Sequence, residues 1–157
     1  MIILQGFISG LIATILFDLF NHSLNYAYNI KKPKWYLLGR YFIGYRQRRF
    51  FRASLEEDEE EDNELLWGYI IHYIIGILYG LFYIYLNLLF FNYPSLLIAY
   101  LFGFITVLGA WCYLMPFAYN LGFFASKSDQ QFQILTQNLI GHFVFGTGLF
   151  IGYYITI

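Results

Sequence analysis

The sequence predicts an all-α membrane protein, a bundle of four transmembrane helices. Apolar residues make up 59% of the 157 and charged residues only 12%. Four stretches each reach the roughly 20 apolar residues that a helix needs to cross a ~30 Å hydrocarbon core. None of them alternates with the period of two that a half-buried strand shows. Charge is concentrated in one region: of nine Lys and Arg residues eight lie between Lys31 and Arg52, and of ten acidic residues eight lie between Glu56 and Glu64. The net charge of -1 therefore conceals two opposed blocks.

The first helix is expected over 2–28. Met1-Ile2-Ile3-Leu4 carries neither the basic flank nor the small-residue cleavage pattern of a removable signal, so this helix is expected to remain. A loop over 30–63 follows, basic and then acidic. The second helix, 65–91, and the third, 94–119, are separated only by Asn92-Tyr93-Pro94, which predicts a tight antiparallel hairpin with Pro94 in the first helical turn, where its missing N–H has no partner to lose. The fourth helix is expected over 132–157. With four spans every basic residue, Lys127 included, falls on one side. By the positive-inside rule that side is the cytoplasm and both termini face outward.

Lys31, Lys32, Lys34, Arg40, Arg46, Arg48, Arg49 and Arg52 are assigned to the lipid surface. The segment from Trp35 to Arg52 mixes them with Trp, Tyr, Phe and Leu, a composition that fits anionic lipid better than nucleic acid. It reads either as an interfacial amphipathic helix or as a solvated loop whose charges set topology. Glu56 to Asp62 is an unbroken acidic run, expected to be a self-repelling, solvated spacer. Cys112 is the single cysteine, so no intrachain disulfide forms.

Small and polar residues recur at a spacing of four, which places them on one helix face. The first span carries Gly6, Gly10, Thr14, Asp18 and His22, the second Glu64, Gly68, His72, Gly76 and Gly80, and the fourth Asn138, His142 and Gly146. Gly6, Gly10, Gly68, Gly76, Gly80, Gly146, Gly148 and Gly152 are expected at helix-packing seams, where small residues let backbones approach. The ionisable residues ask for more. An Asp near a helix centre costs ~3 kcal/mol on insertion scales, so one that stays there normally faces the bundle or a wet cavity. At ~1.5 Å per residue, Asp18 and His142 lie ~15 Å deep and His22 and His72 ~10 Å deep, near the level of Cys112. A single layer could gather all five.

Three functions compete on this reading. A proton or small-ion path would use Asp18, His72, His142, Glu64 and His22, because intramembrane Asp and His recur in relays and His titrates near neutral pH. Haem or a transition metal would take His72, His142, Asp18 and Cys112 as ligands. A structural or accessory role would use the same groups for interhelical hydrogen bonds, in a homo-oligomer or against another membrane protein. Phosphate-binding loops and nucleophile elbows are absent, which disfavours soluble-enzyme chemistry.

Several motifs in one order carry a resemblance. They are Gly10-Leu-Ile-Ala13-Thr14 with Asp18, Gly39-Arg40, Glu64 with Gly68 and His72-Tyr73-Ile-Ile-Gly76, Gly103-Phe-Ile-Thr106-Val107, Ala125-Ser126-Lys127, and His142-Phe-Val-Phe145-Gly146-Thr-Gly148-Leu149. Together they resemble a bacterial membrane family catalogued as a domain of unknown function, number twenty-nine thirty-eight. The resemblance implies four membrane helices and a bacterial inner-membrane location, and it implies no reaction. Asp18, Glu64, His72 and His142 fall on its motif positions, whereas His22 and Cys112 do not. The acidic run and the Met115-Pro116 stretch depart from its pattern.

Overall fold

The computed structural model describes residues 1–46 and 55–157; Arg48, Arg49 and Arg52 lie outside the described residues. The elements are α1 (Ile2–Tyr28), α2 (Trp35–Arg46), α3 (Glu64–Phe90), α4 (Leu96–Gly109, continuing as a π-helix over Ala110–Ala118), a 3-10 turn (Phe123–Ala125) and α5 (Gln131–Tyr154). No strand occurs among the described residues. Four helices are long and apolar enough to cross a membrane: Ile2–Tyr28, Glu64–Phe90, Leu96–Ala118 and Gln131–Tyr154.

Burial is inverted relative to a protein folded in water. Gln5, Ser9, Thr14, Asn21, Asn87 and Thr106 are buried, while Leu66, Ile70, Ile74, Leu78, Phe82, Tyr85 and Leu89 form an exposed apolar stripe along α3. A contiguous apolar face of that length is rare on a protein folded in water and suits hydrocarbon. Inside, the backbone polar groups must find partners within the protein, while the buried Ser9 hydroxyl makes no hydrogen bond.

The chain divides into two compact units, one of Met1–Lys32, Tyr73–Thr106 and Leu139–Ile157, the other of Pro33–His72 and Val107–Asn138. In the first, glycines set the helix order. A Cβ on Gly6 would meet the Leu81 backbone at 2.7 Å and one on Gly10 would meet Ile77 Cα at 2.6 Å, so α1 lies directly on α3. Gly148 lies against Ala13 and Gly152 against Ser9, which seats α5 on the adjacent face of α1. Gly103 faces the His142 carbonyl and Gly146 the Ala99 carbonyl, which joins α5 to α4. Tyr79 and Phe102 close the ring between α3 and α4, with centroids 5.7 Å apart. The order around this unit is therefore α1, α3, α4, α5.

Two polar devices terminate its helices. Asn29 adopts the left-handed conformation after α1 and returns its N–H to the Asn25 carbonyl, the usual way a helix releases its last carbonyls. In the hairpin, the fully buried Asn87 gives its Nδ2 to the Tyr83 carbonyl at 2.8 Å and accepts the Ser95 N–H at 2.7 Å. Ser95 then caps α4 through the Ile98 N–H at 3.3 Å. Because Ser95 is the cap, Pro94 precedes the helix instead of occupying its first turn.

In the second unit, Leu37, Tyr41, Leu55 and Ala118 form a small core. The π-helical stretch has a cause in Pro116, which lacks an N–H and whose ring would strike the carbonyl four residues back in an α-helix. Widening the turn avoids that collision: the Tyr119 N–H bonds the Leu114 carbonyl at 3.0 Å and the Leu121 N–H the Met115 carbonyl at 2.8 Å.

Candidate functional site

The residues of α3 at spacing four meet a different helix in each unit. Gly76 and Gly80 receive α1, whereas Glu64, Gly68 and His72 receive α2. A Cβ on Gly39 would run into the Glu64 carbonyl and one on Gly68 into the Trp35 carbonyl, so only glycines allow α2 to lie on the first turns of α3. His72 stacks on Trp35 with centroids 3.9 Å apart and planes 20° apart.

This contact delivers Arg40 to Glu64. The guanidinium donates from Nε to Oε2 at 2.6 Å and from Nη2 to Oε1 at 2.8 Å, a bidentate pair. Nη1 donates to the Leu55 and Asp58 carbonyls, each at 3.0 Å. Tyr36 lies alongside, its ring centroid 5.7 Å from the guanidinium carbon. Arg40 is 2% exposed, so it does not lie on the lipid surface to which its place among the basic residues assigns it. Burying the charge is feasible because its rigid donor fork finds a carboxylate and two carbonyls at once. The hydrogen bond to Glu64 raises the Arg40 pKa above its ordinary value, against the opposing effect of burial.

The acidic run is correspondingly more than a spacer. Its backbone supplies the Asp58 carbonyl to Arg40, and the Glu61 N–H donates to Glu64 Oε2 at 3.0 Å. Glu56 pairs with Lys34. The side chains of Tyr36, Arg40, Glu56, Asp58, Glu60 and Glu64 line an open recess of about 440 Å³. Two of its four carboxylates are already paired with cations, Glu64 with Arg40 and Glu56 with Lys34.

Also in this unit, the Tyr41 hydroxyl lies 3.2 Å from that of Tyr113. Burial, helped by this hydrogen bond, pushes the Tyr41 phenol above its ordinary 10.0. The folded state thus holds this proton more tightly than the unfolded state, so the associated stability is intact below pH 10.0 and falls as pH rises beyond it. Alkaline unfolding followed by circular dichroism is expected to begin at higher pH in Tyr41→Phe than in the native protein; coincident curves would exclude this contribution.

In the other unit, His142 is half-buried and its Nδ1 lies 3.0 Å from the Thr106 hydroxyl. The Phe17 ring meets it edge-on with centroids 5.7 Å apart, and Phe145 is tilted against it at 6.3 Å. The approach depends on glycines, since Gly103 brings α4 against the His142 carbonyl and Gly141 leaves room for the Phe17 ring. Asp18, half-buried, follows Phe17 on α1.

Several other candidates are exposed. His22 has its Nδ1 3.5 Å from Lys32 Nζ. Cys112 sits on the π-helical part of α4. Lys31 and Arg46 are exposed as well. Among the described residues, no group of three or more His, Cys, Asp and Glu side chains is placed to hold a metal ion. Sequence reasoning missed two participants. Arg40 is read there as one basic residue among eight, and its partner lies 24 residues away. Thr106 is a single hydroxyl in an apolar span, flagged only by its place three residues after Gly103.

No curated protein and no solved structure matches the chain. One family does, over residues 7–156. With the match running from the first helix to the last, the chain belongs to the family described as Protein of unknown function (DUF2938).

Proposed function

We propose that this membrane protein passes protons or small cations across the bilayer, with His142 as the group that takes up and releases the proton. One observation carries the reading: a half-buried histidine in a membrane-length helix, set between the rings of Phe17 and Phe145 and hydrogen-bonded to Thr106. An ionisable side chain in such a place is costly and normally serves a pathway, and imidazole changes charge near neutral pH.

Vesicles reconstituted with the protein and loaded with a pH-sensitive dye provide the test. An imposed pH gradient is expected to collapse faster than in protein-free vesicles. His142→Asn is expected to abolish the excess rate while preserving the fold, because the Asn amide can hydrogen-bond Thr106 where the ring Nδ1 does and does not titrate. Asp18→Asn is expected to slow it. Wild-type vesicles no leakier than empty ones would sink the proposal and leave a structural or accessory role.

A further inference from the structure

Two hydrogen bonds beside His142 share one hydroxyl. The Thr106 hydroxyl lies 2.9 Å from the Gly103 carbonyl and 3.0 Å from His142 Nδ1. It has one proton to give. If that proton went to Nδ1, the hydroxyl and carbonyl oxygens would face each other at 2.9 Å with nothing between them. If it goes to the carbonyl, which can only accept, the hydroxyl is left to accept from the ring. Only the second arrangement satisfies both contacts, so the chain runs from His142 Nδ1–H to Thr106 Oγ1–H to the Gly103 carbonyl.

We infer that Thr106 is a positioning residue that holds neutral His142 as its Nδ1–H tautomer and thereby makes Nε2 the one ring atom that gains and loses a proton. This deepens the proton-transfer reading and rests on it for its functional meaning. The hydrogen bond at one ring nitrogen sets the character of the other. Here the ring's lone pair is confined to Nε2, where an arriving proton forms the N–H bond and gives an imidazolium that donates at both nitrogens. Departure through Nδ1 is blocked. A proton moving that way reaches a hydroxyl whose own hydrogen bond ends on a main-chain carbonyl, and an amide oxygen passes no proton on. The proton that binds at Nε2 must therefore leave from Nε2. His142 is then a carrier with a single port, and it cannot act as a link in a wire that enters one ring nitrogen and exits the other.

Thr106 lies on α4 and His142 on α5, within one compact unit. The glycine contacts that hold these helices together, Gly103 with His142 and Gly146 with Ala99, fix the register that puts hydroxyl and ring at hydrogen-bond distance. A Val in place of Thr106 would keep the shape and remove the oxygen. A Ser would keep the oxygen.

Nitrogen NMR of the full chain in lipid nanodiscs, with ring-¹⁵N histidine, reads the tautomer directly. The His142 signals are identified by their loss in His142→Asn. At a pH where the ring is neutral, wild type is expected to show a protonated Nδ1 and an unprotonated Nε2, the reverse of the preference of free histidine in water. Thr106→Val is expected to shift the population to Nε2–H, and Thr106→Ser to restore Nδ1–H. A wild-type ring protonated at Nε2, or a Thr106→Val protein that keeps Nδ1–H, overturns the inference. Should Thr106→Val fail to fold, the wild-type spectrum still decides. This readout does not depend on transport: silent vesicles together with an Nδ1–H ring would overturn the proposed function and leave the tautomer assignment standing.

Discussion

Arg40→Met is expected to destabilise the protein by about 3–5 kcal/mol, the cost of leaving one member of a buried ion pair without the other. The Arg40 side chain is 3% exposed and that of Glu64 13%, so solvent does little to replace the missing partner. The substitution also removes the donors from the Leu55 and Asp58 carbonyls, which frees the segment that Arg40 pins to the start of α3. Arg40→Lys is expected to recover only part of the stability, because a point charge cannot span two carboxylate oxygens and two carbonyls together. Removing both charges, as in Arg40→Met with Glu64→Leu, is expected to be less damaging than Arg40→Met alone, since the orphaned carboxylate disappears. Thermal unfolding in mild detergent, read as the fraction remaining monodisperse, measures all three. An Arg40→Met protein as stable as wild type would mean that the clasp contributes nothing to the fold.

Gly10→Leu is expected to cost about 3 kcal/mol, at the upper end of what overpacking does. The obstruction is backbone: a Cβ here would sit 2.6 Å from Ile77 Cα and closer still to the Gly76 carbonyl. A side chain could rotate away, but these atoms belong to α3 itself. The helices would have to part, and α1 is also held on its other face by Gly148 against Ala13 and Gly152 against Ser9. In a bilayer nothing offsets that separation through burial of apolar surface, because lipid tails are as apolar as the side chains. Gly109→Ala, at an exposed position of α4, serves as the control and is expected to stay within about 0.5 kcal/mol of wild type. Equal behaviour of the two variants would show that the α1–α3 approach is not essential.

Gly10 and Arg40 differ in how far their roles are legible without a structure. The glycines at spacing four are legible because helical periodicity assigns them to one face, and small residues on a membrane helix have few other uses. Gly10 is identifiable as a packing residue on that ground. The role of Arg40 is not, since nothing local separates a basic residue that meets lipid from one that turns inward to a carboxylate. The same limit applies to the histidines. Depth along a helix is a matter of counting, and on that count Asp18, His22, His72, Cys112 and His142 fall near one level. Rotation about each axis then decides the neighbours. His72 takes the face occupied by α2 and stacks on Trp35, His142 turns to Thr106, and His22 lies by Lys32.

By itself the sequence determined four membrane-length helices, because hydrocarbon thickness converts directly into a count of apolar residues. It also determined which faces of those helices are too small or too polar to meet lipid. Only the tertiary structure decided which faces meet, that α2 occupies the Glu64, Gly68 and His72 face, that the acidic run wraps Arg40, and that the Thr106 hydroxyl reaches His142. The physical reason is that periodicity is a property of one helix, whereas a partner depends on helix order, rotation and register. Those are set by backbone contacts at Gly10, Gly39, Gly68, Gly103 and Gly146, whose partners lie far away in the chain.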